Sequence, residues 1–502
     1  MQFYNRFCHS VIWIFTCILV QLSGQDVDIQ IDPEEINSVQ SQMENQEVSE
    51  IEKNTGHFRL RINPEADSDR WHHRGWVDRG QWQLGYRLDK YAESENWEIT
   101  RYAFNTTINS IQINIGHLRQ ELGQGLVFGN SFGKTKSSSQ PFSVFSSQQK
   151  ISYSLGAVID SPMIGLSVTA PFFNISHTGI VSSFGNEKIF SYTSIKNTPN
   201  TKVGIVASGK VNDSSLVKKS SSVFFIMDSP SGSLSGEYAH DGQHGSTVLN
   251  FYQKNSNLRW GVHYRYYPIG WSQIFGEPYS VLHGGSNETG LMGIIRYRYR
   301  ETIFTSWLEL FRELENENGY PVDRGRDWMI RIDTPVRSSG TLSFQVREKE
   351  HRTVQNFIMN GLVREVQSRL TRTQVMLTWT SSSPVWKVQW QKLLLKPEID
   401  QNESGQLLAI YSPEIKMNNL KVKTGTVIFS SDSWNSRLYT WSPGLNGEFR
   451  FPVFYETGIE IFSKWNYELT TQTNVSFRHS YTWKNDTNLR ANNILFQFES
   501  TF

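Results

Sequence analysis

The chain has 502 residues, a formal net charge of +1, and 13% aromatic but only 19% charged residues. Charged residues make up about 25% of a typical soluble domain, and a nearly neutral chain is not expected to bind nucleic acid through bulk charge. Both cysteines, Cys8 and Cys17, fall within the first 24 residues, so disulfides, cysteine metal sites and thiol catalysis are excluded for the remainder.

The first 24 residues are predicted to be a signal peptide. Arg6 precedes the apolar run VIWIFTCILVQL, and the small residues Ser23 and Gly24 follow where a peptidase could cut. This run is shorter than the roughly 18 to 20 apolar residues that a membrane-spanning helix needs. We therefore expect export, with cleavage near Gly24 or Gln25.

Residues 25–56 form an acidic segment that we expect in the periplasm, either as a short helix or as disordered chain. Asp32 could cap a helix with Pro33 at its first position and Glu34 and Glu35 in its first turn. The segment could be a solvated tether, or it could plug the protein or contact a periplasmic protein partner.

From residue 57 to residue 502 the sequence consists of short runs in which apolar and polar residues alternate. The run SIQINI sets Ile111, Ile113 and Ile115 against Gln112 and Asn114, and the pattern recurs in TLSFQVREK, VWKVQWQ and NVSFRHSYTW. Successive side chains of a β-strand point to opposite faces. Each run therefore predicts a strand with one apolar and one polar face.

Strands of this kind build either a soluble sandwich or a membrane barrel whose apolar face meets lipid. The longer runs have about 9 to 12 residues, which is the length of a tilted strand that crosses a bilayer. Their ends are rich in Trp and Tyr, as barrel girdles are. We therefore predict an all-β fold, a large antiparallel transmembrane β-barrel with an even number of strands, roughly 20. Its lumen would be water-filled or plugged.

Four polar segments are too long for tight turns and are predicted to be outer loops. They are residues 270–289, 312–327, 349–367 and 431–452.

The polar faces of the predicted strands supply candidate lumen residues. In RYRYR the arginines share one parity and oppose Tyr297 and Tyr299. The complete set of candidate lumen-facing residues is Arg296, Arg298, Arg300, Arg331, Arg347, Lys387, Glu456, Glu460 and Arg478. A basic ladder in a pore can attract anions. Alternatively, the arginines could brace a wide barrel by pairing with carboxylates of the loops.

The final run, NILFQFESTF, places Ile494, Phe496, Phe498 and Phe502 on one face. A terminal aromatic residue resembles the C-terminal signature by which bacterial outer-membrane barrels are recognised. Phe496, Phe498 and Phe502 are therefore a candidate assembly signal, with the barrel-assembly machinery and outer-membrane lipid as the expected partners.

No motif in the chain indicates catalysis or a bound cofactor. GNSFGKT (129–135) has three residues between its first glycine and Gly-Lys-Thr, whereas a phosphate-binding loop needs four. His177, His263 and His479 have serines nearby, but no spacing identifies a catalytic triad. We expect no enzymatic activity, no metal site and no cofactor, and an outer-membrane hydrolase is the less favoured interpretation.

Two longer segments of the sequence resemble a known protein family. IGHLRQELGQGLVFGNSFGKTKS and YRYYPIGWSQIFGEPYSVLHGGSNETGLMGIIRYRYR resemble the barrel portion of exported proteins of Bacteroidota that are named after an N-terminal helix-hairpin-helix region. The helix-hairpin-helix repeats themselves are absent before residue 57. The resemblance implies an outer-membrane barrel rather than a DNA-related activity.

Together these features predict an outer-membrane channel or transporter-like barrel for passage or binding of a solute. The alternative is a structural or assembly component of an envelope complex. In that case the loops and the acidic segment would contact protein partners.

Overall fold

The structure is a computed structural model, and it describes most of the chain from residue 56 to residue 502. The described residues are 56–63, 70–90, 96–129, 136, 141–145, 150–153, 163–172, 175–184, 187–212, 215–271, 276, 278–282, 285–314, 323–336, 339–359, 362–398, 401–446, 450–485, 487 and 489–502. The predicted signal peptide and nearly all of the acidic segment lie outside them.

Antiparallel strands follow one another along the whole described chain. The first fourteen are β1 Gly56–Asn63, β2 Arg70–Asp78, β3 Trp82–Lys90, β4 Glu98–Ile108, β5 Ile111–Glu121, β6 Lys150–Tyr153, β7 Met163–Phe172, β8 Ile175–Phe184, β9 Glu187–Asn197, β10 Thr201–Asn212, β11 Ser215–Ser229, β12 Gly232–His240, β13 Gly245–Lys254 and β14 Leu258–Tyr267. The others are β15 Glu288–Tyr299, β16 Thr302–Arg312, β17 Arg324–Pro335, β18 Gly340–Met359, β19 Leu362–Ser381, β20 Lys387–Pro397, β21 Glu403–Tyr411, β22 Ile415–Met417, β23 Leu420–Ser431, β24 Leu438–Tyr439, β25 Val453–Phe454, β26 Thr457–Thr470, β27 Thr473–Lys484 and β28 Arg490–Thr501.

The sheet closes on itself because β1 pairs with β2 on one side and with β28 on the other. Its 26 strands fill 24 positions around the barrel. The short strand β6 shares a position with β7 beside β5, and β22 shares one with β21 beside β23. β24 and β25 form a separate ribbon. The predicted all-β barrel with an even number of strands is confirmed, and 24 exceeds the rough count of 20.

The connections divide the barrel into two unlike ends. At the turn end, adjacent strands are joined by two to a few residues, such as 109–110, 230–231 and 471–472, and Gly56 and Phe502 lie there too. At the loop end lie the long connections after β5, β14 and β23. Outer-membrane barrels show the same asymmetry, with short periplasmic turns and longer extracellular loops.

The alternation predicted from the sequence corresponds to the two faces of the wall. On β11, Val223 is 51% exposed whereas Phe224 is fully buried, and on β15 Ile295 is 47% exposed whereas Ile294 is buried. The exposed apolar residues therefore form the outer face, as in a barrel that faces lipid. The buried residues of the opposite parity point into the lumen.

One predicted outer loop is wrong. Residues 349–367 belong almost entirely to β18 and β19, which pair with each other from Gly340 and Ser381 to Met359 and Leu362. The sequence did not indicate this hairpin, because the strands were predicted from an apolar face towards lipid, and a strand that extends beyond the lipid needs no such face. The prediction of connections around 270–289 and 431–452 agrees with the ends of β14 and β23.

Within the described residues, helical conformation is limited to short 3₁₀ turns such as Ser143–Phe145. No helix in this part of the chain has the length and apolar character to cross a membrane.

Candidate functional site: the occupied lumen

Three connections from the loop end fold back onto the inner face of the wall. We call their described residues inner segment 1 (within 122–145), inner segment 2 (within 268–287) and inner segment 3 (within 432–456). Segments 1 and 2 each contribute to two buried apolar clusters, and segment 3 contributes to a third. Since the wall residues in these clusters have the inward parity, the segments lie inside the lumen.

Inner segment 1 begins with a compact turn at Leu122–Phe128. Leu126, Val127 and Phe128 are buried, and they pack against inward residues of the wall between β9 and β14. The wall residues are Ile189, Val206, Phe224, Ala239, Val248 and Tyr267. Gly123 has φ 57° and Gly125 has φ 89°, a left-handed region that glycine adopts without a steric penalty. The glycines of LGQGLVF therefore fold a turn inside the barrel and do not form a strand.

A single carboxylate fixes this turn. Oε2 of Glu237 on β12 accepts hydrogen bonds from the backbone N–H of Gln124 (2.6 Å) and of Leu126 (3.2 Å). The Gln124 side chain donates to Ser235 and accepts from Asn250. Buried backbone N–H groups need partners, and Glu237 supplies them from a strand more than 100 residues further along the chain.

Inner segments 1 and 2 meet against a second stretch of wall. Val144 and Phe145 from the first segment and Tyr279 from the second are buried, and they pack with inward residues of β15 to β17. These wall residues are Met292, Ile294, Trp307 and Met329. The two segments thus share this apolar contact with the wall, and Trp271 of segment 2 also joins the cluster around the Leu122–Phe128 turn.

Charged side chains at the same place form what we call the lumen ion cluster. Its members are Lys136, Arg265, Glu288, Glu309, Asp327 and Arg347. Lys136 of inner segment 1 forms ion pairs with Glu309 and with Asp327, the latter at 2.7 Å. Arg265 on β14 pairs with Glu288 and, at 2.6 Å, with Glu309. Arg347 on β18 completes the set at 2.7 Å from Asp327.

This cluster holds both segments. The Tyr279 hydroxyl donates to Glu309 at 2.7 Å, and the backbone N–H groups of Val281 and Leu282 donate to Glu288. Five of the six charged side chains are fully buried. A buried charge must be paired to be tolerated, so three cations and three anions balance here. The ion pairs and hydrogen bonds of the cluster therefore help to hold both segments against the wall.

Inner segment 3 fills the opposite side of the lumen. Leu438 and Phe454 pack against inward residues of β20 to β26, namely Leu393, Leu407, Ala409, Tyr411, Val427, Phe429 and Phe462. Buried Arg478 on β27 donates to the carbonyl oxygen of Pro443 at 3.0 Å and to Ser442. Segment 3 is thus held on this side by apolar packing and by Arg478.

The segment also reaches the strands where the barrel closes. Arg61 on β1 donates to the carbonyl oxygen of Asn446 at 2.9 Å, and the Asn446 side chain donates to Glu499 on β28 at 2.9 Å. Inner segment 3 therefore contacts both sides of the β1–β28 junction.

The candidate lumen residues from the sequence fall into three groups. Arg331 pairs with Asp333 at 2.8 Å, Arg347 with Asp327, and Arg478 lies 3.6 Å from Glu460. These arginines brace the wall, but their carboxylate partners lie on strands and not on loops.

Arg296, Arg298 and Lys387 have the inward parity, and no ion pair joins them to another described residue. Arg300 and Glu456 do not belong to strands. Arg300 lies in the β15–β16 turn with φ 54°, and Glu456 has φ 67° just before β26. The alternation in the sequence continued past the strand ends, so parity alone could not exclude these two.

The residues of the candidate assembly signal lie at the barrel closure. Phe496 points outward and Phe498 packs edge-on against Phe58 of β1. Phe502 exchanges backbone hydrogen bonds of 2.7 and 2.9 Å with Gly56.

Sequence reasoning missed five members of the lumen ion cluster, namely Lys136, Arg265, Glu288, Glu309 and Asp327. The available signal was Glu288, Glu309 and Asp327 at inward parity on neighbouring strands. Three carboxylates on one inner face require cations from somewhere. Among the described residues, no group of three or more His, Cys, Asp or Glu side chains could hold a metal ion.

Comparisons with known proteins give structural neighbours only. No family model and no curated protein matches the sequence. The ferripyoverdine receptor of the Pseudomonas aeruginosa outer membrane aligns with 90% of this chain and 72% of its own, at 9% identity and a TM-score of 0.44.

Two further solved structures show the same low level of similarity. The siderophore receptor PirA from Acinetobacter baumannii aligns with 90% of this chain and 81% of its own, at 7% identity and a TM-score of 0.44. A loop-deletion mutant of OmpT, an outer membrane protein of Vibrio cholerae, aligns with 65% of this chain and 99% of its own, at 10% identity and a TM-score of 0.29. At these scores the function must be argued from the lumen itself.

Proposed function

We propose that the protein is an outer-membrane barrel that binds or passes a solute, and that its own inner segments close the lumen at rest. The observation that carries the proposal is the lumen ion cluster. Lys136 and Tyr279 attach two inner segments to Glu309, and Glu309 is itself paired to Arg265 of the wall.

Inner segments 1 and 2 are attached to the wall through the lumen ion cluster. This type of contact supports segments that can move, rather than segments that fill the lumen permanently. A buried ion cluster contributes little net stability compared with apolar packing of the same volume, because its desolvation cost offsets most of its attraction. Removing one partner, however, leaves an uncompensated buried charge and costs about 3 to 5 kcal/mol. Such a contact is released when a competing charge or a solute enters the lumen.

The proposal is tested by conductance of the purified barrel in planar bilayers. The wild-type protein should show low or intermittent conductance, whereas Lys136→Met should show larger or more frequent openings. Lys254→Met, a change of an exposed lysine at the end of β13, is the control and should behave as the wild type. A barrel that conducts in neither form under any condition would support the structural alternative.

That alternative has one observation in its favour. Beyond Glu350 and Leu370, β18 and β19 pair only with each other, because the neighbouring strands β17 and β20 end there. This hairpin therefore extends past the rest of the wall at the loop end. Capture of a specific envelope protein that depends on residues 351–369 would favour the structural role.

The remaining assignments are also proposals. We propose outer-membrane lipid and the barrel-assembly machinery as partners, export through residues 1–24, and a periplasmic protein contact through residues 25–56. The Bacteroidota helix-hairpin-helix proteins remain the proposed relatives. Location is tested by fractionation: the protein should sediment with outer membranes and shift on gels after heating. A soluble periplasmic monomer would overturn it.

A further inference from the structure

A group of cations near the turn end takes no part in the lumen ion cluster. Lys387 is the first residue of β20, and Lys423 lies three residues inside β23. Both strands begin at turn-end connections, and both lysines have the inward parity of Gln389 and Val427. Their ammonium groups are therefore in the lumen, close to its periplasmic mouth.

Both lysines approach the same indole ring, which belongs to the connection that begins at the other end of the barrel. The Nζ atoms of Lys387 and Lys423 are each 5.7 Å from the ring centre of Trp441 in inner segment 3. Lys387 is also 5.7 Å from the ring of Tyr411. The Tyr411 hydroxyl donates to the backbone carbonyl of Trp441 at 2.6 Å, which fixes the indole position.

The two lysines lack the carboxylate partners that inward cations near them have. Lys421, two residues earlier on the same face, is ion-paired with Glu468, and Arg331 is paired with Asp333. Among the described residues, no carboxylate forms an ion pair with Lys387 or Lys423. Exposed Glu414 attracts Lys423 without such a contact.

The strand register adds further positive charge beside Lys423. Lys464 on β26 is its direct neighbour, and Arg478 on β27, which is paired with Glu460, is the next residue in the same row. Cations placed side by side repel one another unless an anion lies among them. Rings can stabilise an ammonium group, but they do not neutralise it.

We propose that Lys387 and Lys423, held against Trp441, form a binding site for the oxyanion group of a solute, either a carboxylate or a phosphate. Both ammonium groups can donate charge-assisted hydrogen bonds to the oxygens of an anion bound beside the indole. Lys387, Lys423 and Trp441 are each partly exposed, so an ion can reach them from the lumen. The role of this site in solute passage rests on the proposed function, and the site adds to that function that the solute is an anion.

Binding is tested on the purified barrel in detergent at low salt by calorimetric titration. Inorganic phosphate and citrate are separate probes, and the tighter of the two identifies the preferred oxyanion. The double variant Lys387→Gln/Lys423→Gln should bind the preferred probe about tenfold more weakly or worse, since each charge-assisted hydrogen bond is strong. Lys387→Arg/Lys423→Arg should retain binding.

Lys421→Gln is the matched control, because it removes a lysine from the same strand and face that already has a carboxylate partner. Each variant is checked for the heat-dependent gel shift of a folded barrel. Unchanged binding in the folded double glutamine variant, an equal loss in Lys421→Gln, or no saturable binding of either probe would overturn the inference. Lysine-dependent binding by a barrel that passes no solute would support the site and overturn only the proposed passage.

Discussion

Gly290 on β15 lies directly opposite Arg265 on β14, and it leaves the space that the guanidinium group occupies. A Cβ atom at Gly290 would lie 2.3 Å from Cζ of Arg265 and 2.5 Å from Nη2. The backbone of β15 is extended at this position, so glycine is not needed for its backbone conformation. Glycine is needed because any side chain would occupy the space of the guanidinium group. The lumen ion cluster thus depends on a residue that carries no charge.

Replacing Gly290 with alanine should displace Arg265 from Glu288 and Glu309. Overpacking of a filled interior costs about 1 to 3 kcal/mol, and the displaced guanidinium would weaken two buried ion pairs. We expect a lower midpoint of the heat-dependent gel shift. Gly293→Ala is a matched control on the same strand, because a Cβ there meets nothing within 4 Å. Equal midpoints for the two variants would contradict the prediction.

Replacing Glu237 with alanine should release the turn at Leu122–Phe128. The amides of Gln124 and Leu126 would lose their common acceptor, and an unsatisfied buried N–H costs about 1 to 3 kcal/mol. Hydrogen–deuterium exchange should therefore accelerate at these amides while the wall strands stay protected. Glu187→Ala, which removes a half-exposed carboxylate paired with Lys210, should leave the turn unchanged. Protection that persists in Glu237→Ala would show that apolar packing alone holds the turn.

The two faces of β15 should respond oppositely to a change of charge. Ile295 points outward and Arg298 has the inward parity. Arginine at Ile295 should cost about 2 to 4 kcal/mol if the site is near the bilayer midplane, and so reduce assembled protein. Arg298→Glu should assemble normally and, in a conducting barrel, shift ion preference towards cations. If Ile295→Arg assembled normally and Arg298→Glu failed to assemble, the inward and outward faces of β15 would have to be exchanged.

Removing Phe502 should lower the amount of assembled barrel without reducing synthesis. The deletion eliminates both backbone hydrogen bonds to Gly56 and the ring that covers this glycine. Phe502→Ser should have a similar but smaller effect, and Phe502→Tyr should assemble normally because it keeps the ring. Quantitative blots of heated and unheated membranes give the measurement. An unchanged folded fraction in the deletion would exclude a role of the residue in closure.

Alternation predicted the barrel well because lipid imposes it on the outer face of each strand. The parity of Ile295 and Arg296 follows from sequence alone. The number of strands was underestimated because many turns have only two residues, as between Ile108 and Ile111. A count based on average spacing cannot recognise such short connections.

The contents of the lumen could not be read in the same way. LGQGLVF resembles a strand locally, and its conformation depends on Glu237, whose carboxylate is far away in sequence. Nothing near Lys136 indicates Glu309 or Asp327 as its partners. These contacts are set by which strands the barrel brings opposite one another, and that information is not local.

The junction between β1 and β28 also constrains how the molecule can form. Residues 57–62 pair with residues 496–501, contacts of nearly the greatest sequence separation that the chain permits, and such long-range pairing is slow to form. Until the last strand is available, β1 is an unpaired edge that can join other chains. A cylinder of this design cannot be completed gradually while it is being synthesised: a shortened chain is an open sheet prone to aggregation, and not a smaller barrel.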